Sequence, residues 1–201
     1  MNRPNRPSDV DPPPLTRRIF RDATAAPSAH ERSLLRLLMA QDGSATRICE
    51  AIAGVPLSLL VLRQTVTSTV PDVVRATLPG EQFIERFTSL AARGEIMMDN
   101  LAYIALSDLP ETLRNGLDSR AVPIGHLLEM LWVRRKSMDA PVVRSLFERL
   151  WSVVGLPDIS ATRAYTIATP DGPRFVIAET FRRGMLMEPT AAPGSGAAAS
   201  A

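Results

Sequence analysis

The chain is 201 residues long, 45% hydrophobic and 22% charged, with a formal net charge of +2. That is enough apolar material for one domain with a real core, and too much for a disordered chain. The positive charge is almost wholly arginine, Lys136 being the only lysine, and its dispersal excludes the basic run or basic-aromatic interleaving of a nucleic-acid groove.

Residues 1–27 hold many prolines and arginines without apolar periodicity and read as a disordered N-terminal tail. The folded domain is expected over 28–187, followed by a disordered low-complexity tail at 188–201, "EPTAAPGSGAAASA". In "SAHERSLLRLLMAQDG" Ser28 and Glu31 form a capping-box pattern, and Leu34, Leu35, Leu37 and Leu38 make a helical apolar stripe. Ser44 can cap a second short helix, "ATRICEAIAG", closed by Gly54. "PLSLLVLRQTVTS" is aliphatic and β-branched, hence a strand, and "PDVVRATLPG" is a short helix or turn. "EQFIERFTSLAA", "RG" and "EIMMDNLAYIALS" predict a long β-hairpin. "DLPETLRNGL" predicts a short helix, and "VPIGHLLEMLWVRRKSM" a helix after Pro123 that turns into a strand. "APVVRSLFERLWSVVG" is an amphipathic helix, and "ATRAYTIATPDGPRFVIAETFRR" a hairpin turning at "PDGP". Strands joined by hairpins pair antiparallel. The pattern is α+β: a single antiparallel sheet with helices packed on one face.

Cys49 is the single cysteine, and the two histidines, His30 and His126, are far apart. No disulfide framework, metal centre or cofactor is expected, and this fits a reducing cytoplasm. No glycine-rich strand-to-helix loop suggests a dinucleotide or phosphate-loop fold. No apolar run approaches the roughly 20 residues needed to span a bilayer, and no apolar stretch follows the N-terminal arginines as a signal peptide requires.

Four places carry candidate chemistry. In "FVIAETFRRG" alternation puts Glu179 on one face with Phe175, Ile177 and Phe181. A buried carboxylate there needs an arginine, a hydrogen-bonded neutral form or a ligand; the alternatives are an internal ion pair or an open sheet edge. In "FIERFTSL" both faces carry one charge, Glu85 beside Phe83 and Phe87, Arg86 beside Ile84 and Leu90, so periodicity leaves open which points inward. In "VPIGHLL" Gly125 permits close backbone approach, free N–H groups at a helix start can bind an anion, and His126 could add a donor; an ordinary helix start explains the same residues. In "QDGSATR" Asp42 and Ser44 suffice for a turn and a cap. Met97 and Met98 read as core filler and Cys49 as a buried small hydrophobe.

Taken in order, "QDGSATR", "RFTSLAARG", "VPIGHLL" and "IAETF" resemble the chorismate pyruvate-lyase (4-hydroxybenzoate synthase) family, over about residues 30–187. The resemblance implies a six-stranded antiparallel sheet with helices on one side and cofactor-free elimination of pyruvate from chorismate, or a related hydroxybenzoate-forming reaction. It also implies site roles. Arg86 holds a carboxylate, Glu179 is the active-site glutamate, and the Ile124 and Gly125 backbone contacts the ligand. Ala45, Thr46 and His126 fall at further substrate-contacting positions. Aromatisation drives such a reaction, so the expected enzyme need only grip a small anionic substrate and, at Glu179, either accept a hydrogen bond from the substrate hydroxyl or take a proton, with Arg86 offsetting the burial of that carboxylate. Two other readings compete. One is an enzyme of a specialised biosynthetic pathway acting on another cyclic carboxylic acid. The other is a non-catalytic small-ligand-binding module, since effector-binding domains of some bacterial transcription regulators have a similar sheet. Those normally follow a helix-turn-helix domain, for which residues 1–27 are too short. The expected partners are a small anionic molecule, no nucleic acid and no membrane, with the protein a cytoplasmic monomer or small homo-oligomer.

Overall fold

The structure, a computed structural model, describes residues 15–20, 28–129 and 131–186. Two helices open the domain, α1 (Ala29–Ala40) and α2 (Ala45–Ala53). Then follow β1 (Ser58–Thr67), α3 (Asp72–Thr77), β2 (Phe83–Ala92), β3 (Glu95–Ala105), α4 (Glu111–Asp118) and α5 (Ile124–Leu127). The chain continues through β4 (Arg134–Met138), α6 (Arg144–Val154), β5 (Thr162–Thr169) and β6 (Gly172–Phe181). Single 3-10 turns occupy Ile159–Ala161 and Arg183–Leu186.

Local chemistry explains the boundaries. The capping box at α1 is complete: Ser28 Oγ accepts from Glu31 N, and Glu31 accepts from Ser28 N. Ser44 caps α2, which stops at Gly54 in the left-handed region. The β2–β3 turn places Arg93 (φ 54°) and Gly94 (φ 80°) in that region too, as a tight two-residue hairpin requires. After Pro123 only four residues, Ile124–Leu127, are helical before the chain becomes β4.

All six strands form one antiparallel sheet in the order β1-β2-β3-β6-β5-β4. The expected α+β architecture is therefore present, but the helices are not confined to one face. Phe83, Phe87, Leu101, Tyr103 and Val176 pack against Leu146, Phe147 and Leu150 of α6 and Val74 of α3. Ile84, Ala102, Ile104, Phe175 and Ile177, the alternate residues of the same strands, pack against Leu113 and Leu117 of α4 and Leu128 beyond α5. Farther along that second face Leu90, Met98 and Phe181 meet Leu38 of α1 and Cys49 of α2. The reason is composition: β2 and β3 carry apolar residues on both sides, and every residue of β2 is buried, its few charged and polar side chains included.

The expected domain start at residue 28 also needs correction. Residues 15–20 pack on the domain: Thr16 bridges Glu95 in parallel, and Phe20 is buried with the α1–α2 core. The remainder of the expected N-terminal tail and all of 188–201 lie outside the described residues.

Candidate functional site

Between α2, α5 and the covered sheet face lies an open cavity of about 500 Å³, a volume that includes solvent at its mouth. It draws Ala45 and Thr46 from α2, Arg86 and Thr88 from β2, Asn100 from β3, Ile124 and Gly125 from α5, Arg135 from β4, Tyr165 from β5 and Glu179 from β6. Leu90, Met98, Ile167 and Ile177 supply apolar wall. Such a lining, apolar with few convergent polar groups, is that of a small-molecule site. Six of the residues expected from the sequence thus come together: Arg86, Glu179, Ala45, Thr46, Ile124 and Gly125.

Arg86 sits opposite Gln64 on β1 and Ala102 on β3. It is 1% exposed, and its Nε and Nη1 have no hydrogen-bond partner. Its Nη2 makes one long bond, 3.4 Å, to the Val122 carbonyl. Burial, helped by the nearby charge of Arg120, lowers its pKa to about 10. The guanidinium still carries its proton at neutral pH, and no carboxylate among the described residues is paired with it.

Glu179, also 1% exposed, has its needs met inside the protein. Arg163 grips Oε1 through Nε at 2.7 Å and Nη2 at 2.6 Å, and the Tyr165 hydroxyl donates to Oε2 at 3.0 Å. Burial, then the Glu179 charge, push the Tyr165 pKa well up, so the phenol stays a donor. Arg163 Nη1 reaches the Gln41 carbonyl beyond α1 at 2.5 Å. The expectation that Arg86 offsets the burial of Glu179 is therefore corrected: the partner is Arg163, directly across the β5–β6 ladder.

Gly125 has a steric reason to be glycine. A Cβ there would stand 2.4 Å from Thr46 Oγ1 and 2.8 Å from Thr46 Cβ, so α5 lies hard against α2. His126 does not line the cavity. Its Nε2 bonds Glu50 of α2 at 2.9 Å and its Nδ1 bonds Glu129 at 2.7 Å, while Arg47 holds both Glu129 oxygens. Burial opposes protonation, but these two carboxylates outweigh it and raise the His126 pKa. Arg47, then His126, hold Glu129 down to about 2. Cys49 is fully buried and its thiol pKa is pushed up by burial, so it is core and not a nucleophile. Among the described residues no group of three or more His, Cys, Asp or Glu could hold a metal ion, and no helix is long and apolar enough to cross a membrane.

Arg163, Tyr165 and Arg135 were not foreseen. Counted straight back from the "PDGP" turn, Arg163 falls opposite Ala178; a one-residue register shift between Ile167 and Ala168 moves it opposite Glu179. Nothing in the local pattern announces that shift.

No family model matches the sequence, and no curated protein is similar to it in sequence. Several solved structures are similar to it in part. PhnF from Mycobacterium smegmatis is 13% identical, with a TM-score of 0.45 over 83% of this chain and 85% of that one. A GntR-family transcriptional regulator from Bacillus cereus is 9% identical, with a TM-score of 0.41 over 68% and 98%. The ligand-binding domain of a GntR-family transcriptional regulator from Bordetella bronchiseptica is 12% identical, with a TM-score of 0.39 over 62% and 83%. These are likenesses of fold and transfer no residue role. The expectation of a lyase is corrected. Glu179, on which the elimination would depend, is already bound by Arg163 and Tyr165.

Proposed function

We propose that this domain is a small-ligand-binding module whose cavity receives a compact acid with an apolar body, its anionic group seated on Arg86. The observation that carries this reading is Arg86 itself. A buried guanidinium with two unpartnered nitrogens is costly to keep, and a planar anion that accepts two parallel N–H bonds removes that cost. The rest of the cavity suits this role. The apolar wall covers a ring or branched chain, and Thr46, Thr88 and Asn100 offer hydrogen bonds around it. Ile124 and Gly125 close one side because the glycine lets α5 approach α2. The Arg163–Glu179–Tyr165 clamp fixes the floor and needs no proton transfer to explain it.

Calorimetric titration of benzoate tests the proposal. Binding to the native chain, loss of at least tenfold in affinity in Arg86→Met, and recovery of the benzoate unchanged are the expected results. Equal binding to both proteins overturns it.

A further inference from the structure

Beside the main cavity lies a second, smaller one, lined by Gln41, Asp42, Arg135, Ser137, Arg163 and Tyr165. Arg135 and Tyr165 belong to both cavities, so the two are neighbours across a shared wall. Orphaned polar atoms gather here. Arg135 Nε and both side-chain polar atoms of Gln41 are buried without a partner, as are Nε and Nη1 of Arg86 in the main cavity. The single bond made by the Arg135 guanidinium among the described residues is a 3.5 Å contact from Nη1 to the Asp42 carbonyl. Glu179 does not balance Arg135, because its carboxylate is held by Arg163 and Tyr165. Around the main cavity two guanidiniums, Arg86 and Arg135, are thus left without a carboxylate. Buried polar groups in native proteins are paired, and a cluster of exceptions calls for a missing partner.

We infer that Arg135 and Gln41 form a second anion subsite, so that the ligand is a dianion with one acidic group on Arg86 and another on Arg135. This rests on the proposed function, since Arg86 supplies the first seat. Gln41 fits the role: its amide can donate to the same anion that Arg135 grips. The two seats are well apart. In the sheet order β1-β2-β3-β6-β5-β4, Arg86 on β2 and Arg135 on β4 are four strand spacings apart, roughly 19 Å between backbones. Two arginine side chains reaching inward leave a gap suited to acids at opposite ends of a small rigid body, not to acids on neighbouring atoms. Arg135 then decides which acids are accepted, and Arg86 decides that acids are accepted at all.

Benzoate, phthalate and terephthalate share one ring and differ in the number and spacing of carboxylates. Calorimetry on the full chain is expected to show terephthalate binding at least tenfold more tightly than benzoate, with phthalate gaining less. Arg135→Gln should remove most of the terephthalate advantage while changing benzoate affinity much less, with an unaltered circular dichroism spectrum. Gln41→Ala should move the same ratio in the same direction. Equal affinity of the native chain for benzoate and terephthalate overturns the dianion inference, as does an Arg135→Gln variant that weakens both probes by the same factor. A different result, binding of all three probes that ignores Arg86→Met, overturns the proposed function and this inference with it.

Discussion

Two neighbouring charges on β2 show what a buried ionisable group can be for. Glu85 and Arg86 point to opposite faces of the sheet, and both faces are covered. Glu85 accepts from the Tyr103 hydroxyl at 2.6 Å, from Arg149 Nε at 2.5 Å and from Arg63 Nη2 at 3.2 Å. Burial pushes its pKa up, but the Arg149 and Tyr103 hydrogen bonds win and leave it lowered. Arg86 has no such company. The sequence shows both charges and cannot rank them, because the partners of Glu85 come from β1, β3 and α6, far away in the chain. Two predictions follow from the contrast. Arg86→Met should stabilise the ligand-free protein by about 1–3 kcal/mol, the cost of a buried unsatisfied donor, while abolishing anion binding; urea denaturation with and without benzoate reads both. Glu85→Gln should destabilise by about 1–3 kcal/mol and leave benzoate affinity unaltered. Its cost stays below that of a fully buried pair because the Arg63 and Arg149 side chains are 44% and 43% exposed and can rehydrate.

At the scale of elements, α2 and α5 act as one clasp over the cavity. Gly125 sets their distance, and the chain of Arg47, Glu129, His126 and Glu50 ties them at the rim. Most elements were legible from the sequence because caps, turn residues and periodicity agree locally. The "RG" and "PDGP" turns, the Ser28 and Ser44 caps and the amphipathic α6 all fall where expected. The clasp was not legible, since it depends on which carboxylates from other elements surround His126. Gly125→Ala should force α5 away from α2, because the displaced atoms are the Thr46 hydroxyl and Cβ rather than the end of a flexible chain. A destabilisation of about 1–3 kcal/mol is expected for such overpacking, with weaker benzoate binding; unchanged melting and affinity would show that the clasp has slack. His126 adds a pH dependence whose sign is fixed. Its folded pKa is raised, so the stabilisation is complete below the ordinary histidine value of about 6.5 and is lost as pH rises through the higher folded value. Melting temperature should therefore fall across that window, and His126→Gln should flatten this part of the profile.

At the scale of the whole molecule, the central strands β2, β3 and β6 are buried on both faces, and the N-terminal segment 15–20 packs against them. Its sequence, "LTRRIF", shows no period, so pattern alone assigns it to the tail. What fixes it is a set of long-range partners. Thr16 exchanges backbone bonds with Gly94 and Ile96, both at 3.0 Å, and Arg18 accepts at its carbonyl from Arg183 N at 2.8 Å. Arg17 joins Asp99 at 3.2 Å and Ser89 at 2.9 Å, and Phe20 N donates to Asp158 at 3.1 Å. These contacts differ in worth. Asp99 is fully buried and keeps Arg182 at 2.7 Å without Arg17, so Arg17→Ala should cost little. Phe20 is 2% exposed among Leu38, Cys49, Met98 and Phe181, and truncating it opens a cavity that α1 and α2 can only partly fill. Phe20→Ala should then cost about 3–5 kcal/mol, the range for a buried aromatic. A chain beginning at residue 21 should melt at least as low as Phe20→Ala, because it loses the same ring and the backbone bonds of Thr16 and Arg18 as well. Thermal melts of the native chain, Phe20→Ala, Arg17→Ala and the truncated chain on one buffer decide the matter. If the truncated chain melts with the native one, the segment is only resting on the surface, and the domain begins at α1.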